Sequence, residues 1–257
     1  MKGNATLART MNVLRRAPQP SPIPPQAEGE QLTALTFNTG NDFIPSEALI
    51  EMLRASEADV IGLQELSPRN AAGLVASLHD EYPHRVLHGE YFAGKALLSR
   101  YPIVEHRWLA LDSGRPHIQA CLDITERQVN VVVVHAPAPN YRRLETISPY
   151  AAGEIEKLLA AIGPEQPALL MGDFNFTEQN RHYHRLLRAG LVDAFRATNR
   201  GFGFTFPTRY QYAPIPLPPL VRIDYIWVTP HFRPLWSAVG RGHGSDHLPV
   251  MAGLALL

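Results

Sequence analysis

The apolar run Leu169-Leu170-Met171, which breaks off into Gly172-Asp173-Phe174-Asn175, sets the strongest constraint on this chain. A short continuous apolar run reads as a strand buried on both faces, and such strands sit in sheets covered on each side by other elements. Residues two apart in extended backbone share a face, so Asp173 and Asn175 point the same way where the strand ends. Gly172 lets another group approach the backbone closely. A carboxylate and an amide aimed together from the end of a buried strand suit a phosphate ester and a hard metal ion.

The pattern recurs along the chain. Strands are predicted at residues 32–38, 59–65, 85–87, 96–99, 104–111, 118–124, 129–135, 169–173, 221–228 and 248–254. Helices are predicted near 46–53, 70–78, 153–162 and 181–189, the third carrying Ile155, Leu158, Leu159 and Ile162 at helical spacing. Strand-rich halves with interspersed helices predict an α/β fold of two packed sheets flanked by helices, not one purely parallel doubly wound sheet. No internal repeat is visible.

At 257 residues the chain is long enough for a substantial core. Lys+Arg and Asp+Glu are both 24, so no global basic field draws nucleic acid or anionic membrane. Cys121 is the sole cysteine, which excludes an internal disulfide, and its neighbours Ile118 and Leu122 predict a buried thiol. No apolar run approaches the ~20 residues of a membrane span. With no secretory h-region either, a cytoplasmic protein is the expectation. Residues 1–29 hold Pro18, Pro20, Pro22, Pro24 and Pro25 and read as a disordered tail ahead of a domain at 30–257.

Polar side chains end several of the strands: Asn38, Glu65, His135, Asp173 with Asn175, and Asp224. Ser245-Asp246-His247 stands just before the last strand. Glu65 is the best single metal ligand, a hard oxygen donor matched to Mg2+; alone, it could as well cap or pair with a neighbouring element. His247 is the candidate general base or transition-state stabiliser. Adjacent residues in extended backbone face opposite ways, so Asp224 is a better orienter for His247 than Asp246, which would face the metal. Arg222 shares the face of Asp224 and is a candidate for touching a phosphate oxygen, unless it simply pairs with an acid. His135 is a candidate for protonating a leaving oxygen or holding a phosphoryl oxygen, the bland alternative being a hydrogen-bonded edge residue. His243 and His247 are four apart, but Gly242, Gly244 and Pro249 argue against a zinc-binding helix.

In this order, Phe37-Asn38, Gln64-Glu65, the stretch GKALLSRYP at 94–102, His135-Ala136-Pro137, Gly172-Asp173-Phe174-Asn175, Arg222-Ile223-Asp224-Tyr225 and Ser245-Asp246-His247 resemble the endonuclease/exonuclease/phosphatase superfamily of Mg2+-dependent phosphoesterases. The resemblance covers about residues 32–254. It implies a four-layer α/β sandwich of two mixed sheets, with the site at one end. It implies metal contacts at Glu65, Asn38 and Asp246, with Mg2+ (or Mn2+) as cofactor. Asp173 and Asn175 would align the attacking water or the scissile phosphate. Asp224 and His247 would form the orienting dyad, and His135 would stand on the leaving-group side. Arg115, with Asn175 and Arg222, is a candidate for holding phosphate. Asn41 or Asp42 stands where apurinic endonucleases carry an acid.

The expected reaction is in-line attack of water on a phosphate ester, with no covalent enzyme intermediate. Charge balance and His135 favour a small or lipid-like substrate over nucleic acid, so a DNase-like or apurinic-type nuclease is the second reading. Lys95, Arg115, Arg142, Arg143, Arg209 and Arg222 are cations available to an anionic substrate, and the apolar loop at 210–220 is expected to pack on the domain. A non-catalytic binding module on the same fold is the rival from another class. No protein partner is indicated.

Overall fold

A computed structural model describes residues 29–111, 114–138, 153–209 and 216–257. The segment expected to be a separate tail lies, but for its last residue, outside the described residues, as do Arg142 and Arg143. Strands β1 (Glu30–Asn41), β2 (Val60–Leu66), β3 (His84–His88), β4 (Lys95–Ser99), β11 (Phe232–Val239) and β12 (Val250–Leu256) form a six-stranded sheet ordered β11-β12-β1-β2-β4-β3. Strands β5 (Ile103–Leu109), β6 (His117–Ile124), β7 (Arg127–His135), β8 (Ala168–Asp173), β9 (Val192–Asp193) and β10 (Asp224–Val228) form a second, ordered β5-β6-β7-β8-β10-β9. Each sheet has one parallel pair, β1 with β2 and β7 with β8, flanked by antiparallel strands.

Alternation along the strands divides the core into three layers. Val60, Leu97, Val133 and Met171 meet between the sheets. Leu35, Ile61 and Leu63 face outward onto α1 (Ser46–Ser56) and α2 (Pro68–Ser77). Val132, Leu170 and Trp227 face α3 (Glu154–Ile162) and α4 (Arg181–Arg188). A short α5 (Ala194–Thr198) follows β9. Helix, sheet, sheet and helix form the expected four layers, and strands apolar on both faces are what such layering demands.

The topology brings the polar strand ends together. Parallel β1 and β2 end at the same edge, as do β7 and β8, while antiparallel β10 and β12 begin there. In register, Asp173 pairs with His135 on one side and Asp224 on the other. Gly172 is required at the β7–β8 contact: its φ is +150°, and a Cβ built there would lie 1.9 Å from the Val134 carbonyl oxygen. Glu65 and Asn175 both take φ of 51°, a conformation uncommon for side-chain-bearing residues, and so swing out of the strand direction.

Three expectations need correction. Strand β11 was not predicted, because Pro234 interrupts its apolar pattern. It lies at the sheet edge with a register shift between Pro234 and Trp236, where a missing N–H is tolerated. Strand β10 begins at Asp224, while Val221 makes only an isolated bridge with Phe206. Cys121 is half-buried, since Ile118, Ala120 and Leu122 take the inward positions of β6 and Cys121 falls on the opposite face. No helix among the described residues is long and apolar enough to cross a membrane.

Candidate active site

His247 lies at the centre of the clustered strand ends and is 5% exposed. Its Nδ1 is 2.9 Å from Asp224 Oδ2, and its Nε2 is 3.8 Å from Asp173 Oδ2. The ring rests on Phe206 with centroids 4.7 Å apart, and the backbone N–H donates to Ser245 Oγ at 3.1 Å. Ser245 in turn donates to the Asn38 carbonyl at 2.7 Å, tying this loop to β1. Burial opposes charging the imidazole, but Asp224 and Asp173 beside it outweigh burial and raise its pKa. Burial raises the Asp173 carboxyl, Asp224 adds to the rise, and His247 opposes it. The carboxylate that meets His247 Nδ1 is that of Asp224 and not of the adjacent Asp246.

Asp173 is held from three directions. Its Oδ1 accepts the Asn175 N–H at 2.9 Å, and its Oδ2 accepts Asn38 Nδ2 at 3.0 Å and Asn175 Nδ2 at 3.2 Å. The same Asn38 amide lies 3.4 Å from Glu65 Oε1 and so joins the two carboxylates. Asn38 Oδ1 accepts the Gly40 N–H at 3.0 Å. With its carbonyl accepting the Gly40 N–H, Asn38 turns its amide donor toward the two carboxylates and bridges them. Asn175 Nδ2 is likewise engaged, by Asp173 and by the Ala136 carbonyl at 2.8 Å, so Asn175 orders Asp173 and offers no spare amide hydrogen to a phosphate.

Glu65 is fixed by Asn41, whose Nδ2 donates to Oε2 at 2.7 Å, and by Thr39, whose hydroxyl donates to the Glu65 carbonyl at 2.7 Å. Sequence reading considered Asn41 only as a stand-in for an acid and gave Thr39 no part. Their polar spacing before a loop is the one signal that marked them. Burial raises the Glu65 carboxyl, and nearby Asp246 adds to the rise. A half-buried carboxylate destabilised by a second carboxylate, with hard oxygen donors, fits a divalent cation at Glu65 and Asp246, because the cation would offset both charges. Asp173, Asp224 and His247 also lie close enough to one another for a cation, their ligand atoms within 4.8 Å. There, however, His247 Nδ1 is already engaged by Asp224, which suits an acid–base array better than a metal cage.

His135 is 1% exposed, with Nε2 3.6 Å from Glu65 Oε1 and 3.7 Å from Asp173 Oδ2. Arg115 Nη1 donates to the same Nε2 at 2.7 Å. Burial first, then Arg115 and Lys95, hold His135 well below the usual histidine range, so it is neutral. Neutral and already accepting from Arg115 at Nε2, His135 has no proton at that nitrogen for a leaving oxygen. Behind it, His117 Nδ1 accepts the His135 backbone N–H at 3.2 Å, and burial pushes the fully buried His117 imidazole down to about 3.

A base whose folded-state pKa lies below its unfolded value, ~6.5, takes up its proton only on unfolding. Stability is therefore complete above about pH 6.5 and lost as the pH falls toward 3. Between pH 7 and pH 5 this one residue is expected to cost about 2 kcal/mol. Urea midpoints at the two pH values should show the loss in the wild type and a much smaller one in His117→Asn, which retains an acceptor for His135.

Arg222 is not available to substrate. It is 3% exposed, and its Nη1 and Nη2 reach Asp193 Oδ1 and Oδ2 at 3.1 and 2.5 Å. Its Nε donates to Glu178 Oε1 at 2.9 Å, and Tyr225 lies under the guanidinium at 4.5 Å. Although two residues from Asp224, it precedes the strand, so the extended-backbone argument that placed both on one face does not apply. Residues 210–215 of the apolar loop lie outside the described residues. The described remainder does not pack inward as expected: Leu217 is 37% and Leu220 63% exposed. Their backbone N–H groups donate to Thr208 and Phe206 carbonyls, which holds the loop by its backbone and leaves the side chains outside.

A two-sheet sandwich with a carboxylate–histidine array and an adjacent hard-oxygen site at one end defines the class. The chain belongs to the Endonuclease/Exonuclease/phosphatase family, whose model matches residues 35–247. It is 26% identical over 274 residues to Uncharacterized protein YbhP of Escherichia coli (strain K12), covering 91% of this chain and 100% of that protein. Its structure is similar to an endonuclease/exonuclease/phosphatase from Beutenbergia cavernae DSM 12333 (TM-score 0.73, 21% identity, 88% of this chain and 72% of that one). It is also similar to sphingomyelinase C from Streptomyces griseocarneus (TM-score 0.68, 20% identity, 87% and 99%). The identities of these two structures support the shared fold alone.

Proposed function

We propose that the protein is a Mg2+-dependent phosphoesterase that hydrolyses a small or lipid-like phosphate ester by in-line attack of water. The observation that carries this reading is the joining of Asp173 to Glu65 through the one Asn38 amide, at 3.0 and 3.4 Å, with His247 on the far side of Asp173. A scaffold has no need of buried, mutually destabilising carboxylates at strand ends.

Glu65 and Asp246 would hold the cation, which when bound would neutralise charge on a phosphate oxygen. Asp224 keeps the proton on His247 Nδ1 side and fixes the ring. Asp173, aligned by Asn38 and Asn175, accepts a hydrogen bond from the attacking water. A P–O bond forms to that water, the water's proton passes to the Asp173 carboxylate, and the bond to the leaving oxygen breaks, that oxygen taking a proton from solvent water. Arg115 donates hydrogen bonds on the leaving-group side. The exposed Leu217 and Leu220 hang from the backbone of Phe206 and Thr208, which themselves contact His247 and Ser245, so apolar surface borders the site. That border supports a substrate with an apolar part.

Calorimetric titration of Mg2+ into wild type and Glu65→Gln tests the metal assignment. The variant is expected to bind at least about tenfold more weakly, the scale seen when a metal site loses a supporting group. Equal binding by the two proteins would remove Glu65 from the metal site.

A further inference from the structure

Asn70 is fully buried and plays no part in the reaction above. It stands on the first turn of α2, whose cap Ser67 accepts the Asn70 backbone N–H at 3.2 Å. That cap follows Glu65 by two residues, so α2 starts where the Glu65 carboxylate emerges from β2. The backbone thus fixes Asn70 to the Glu65 side of the site.

Its side chain reaches the other way, to the chain that follows β1. Asn70 Nδ2 donates to the Asn41 carbonyl at 3.3 Å and to the Ile44 carbonyl at 3.2 Å, one at each end of the turn at 41–44. Asn70 Oδ1 accepts the Ser46 hydroxyl at 2.6 Å, at the start of α1. Parallel β1 and β2 shift register between Asn38 and Asn41, so the ladder alone does not fix where Asn41 stands. Asn41 also holds a φ of 61°, which surroundings must maintain. From that position its amide donates to Glu65 Oε2 at 2.7 Å. Glu65, Asn70 and Asn41 therefore close a ring: backbone joins the first two, and hydrogen bonds join Asn70 to Asn41 and Asn41 to Glu65.

A residue that served only to pack α2 would be apolar, because asparagine is a poor helix former and burying its amide is costly unless every hydrogen bond is made. Asn130 supplies the contrast. Its Nδ2 also ties two carbonyls, those of Ala161 and Ile162 in α3, at 2.7 and 2.8 Å. Asn130 pairs with Ala168 at the start of β8, the end away from Asp173, and its amide bonds reach no carboxylate of the site.

We infer that Asn70 is a positioning residue for the metal site: it clamps the turn after β1 so that the Asn41 amide holds Glu65 in the orientation that takes a divalent cation. The inference rests on the reading of Glu65 as a cation ligand. Without the clamp the turn relaxes, Asn41 leaves Glu65 Oε2, and the carboxylate must be ordered again when the cation binds, which weakens binding.

The test is calorimetric titration of Mg2+ at pH 7 into wild type, Asn70→Ala, Asn41→Gly, the double variant and Asn130→Ala. Glycine suits the backbone of position 41 and removes only the side chain. Asn70→Ala and Asn41→Gly are each expected to bind about tenfold or more weakly than wild type. The double variant should bind no more weakly than Asn41→Gly, since one residue acts through the other. Asn130→Ala loses a similar clamp, so it should lower the thermal midpoint and bind Mg2+ as wild type does. Wild-type binding by Asn70→Ala, additive losses in the double variant, or equal weakening in Asn130→Ala would overturn the inference. Should Asn70→Ala fail to fold, Ser46→Ala decides: releasing Asn70 Oδ1 should weaken binding in the wild-type background and not in Asn41→Gly, and no change in either would overturn the clamp. The side-chain amide resonances of Asn41 in metal-free protein give a readout independent of the cation. They should shift and exchange faster in Asn70→Ala and stay in place in Asn130→Ala. If wild type binds no Mg2+, the metal reading fails, while unmoved Asn41 resonances in Asn70→Ala (or in Ser46→Ala) would overturn the clamp itself.

Discussion

His247→Ala is expected to lower kcat by about four orders of magnitude with little change in KM, the scale on which losing one member of an acid–base array acts. The imidazole is the only cationic group set between Asp173 and Asp224, at 3.8 and 2.9 Å, among the described residues. Removing it leaves two buried carboxylates, paired across β8 and β10, facing an empty volume. One of them would then take up a proton at neutral pH, because like charges in a dry site disfavour joint ionisation. The loss is thus double: the cation that holds both carboxylates ionised disappears, and the remaining acid is in the wrong state. His247→Gln fills the volume without supplying a positive charge and separates chemistry from folding. Steady-state kinetics on both variants, with circular dichroism to verify the fold, checks the prediction; a residual rate within tenfold of wild type would exclude His247 from the chemistry.

Arg222→Ala is expected to act on stability, by about 3–5 kcal/mol, because it strands the buried Asp193 and deprives Glu178 of a partner. Asp193 is 2% exposed and also caps α5 through the Phe195 and Arg196 N–H groups at 3.0 and 3.3 Å. Loss of Arg222 therefore loosens the α5 turn as well as the ion pair. Urea unfolding measures the drop. The protein that remains folded should keep its turnover number, since no Arg222 donor faces the site. A normal midpoint with lost turnover would instead restore Arg222 to the substrate.

Much of the fold is legible because burial on both faces writes itself into composition. Strands β2, β7 and β8 carry apolar runs that give way to Glu65, His135 and Asp173, and these polar residues meet at one edge. Strand β11 is not legible, because an edge strand tolerates the proline that reads as a break. In the site, Glu65, Asp173, Asp224 and His247 are found together, since each follows or begins an apolar strand. What sequence spacing cannot give is the partner of each polar atom. Arg222 was matched to phosphate by its distance from Asp224 along the chain, yet Asp193, 29 residues away, holds it. Asn38 stands at a strand end, but only the structure shows its amide bridging Asp173 and Glu65.

The most direct measurement is turnover of a panel of phosphomonoesters and phosphodiesters, DNA included, by the purified chain with Mg2+ or Mn2+. It is run beside samples with chelator and beside His247→Gln. The account predicts hydrolysis of at least one ester that needs the metal, ends with chelator and is lost in the variant. Silence toward every ester by folded, metal-supplied protein would contradict it, as would hydrolysis that survives both chelator and the loss of His247.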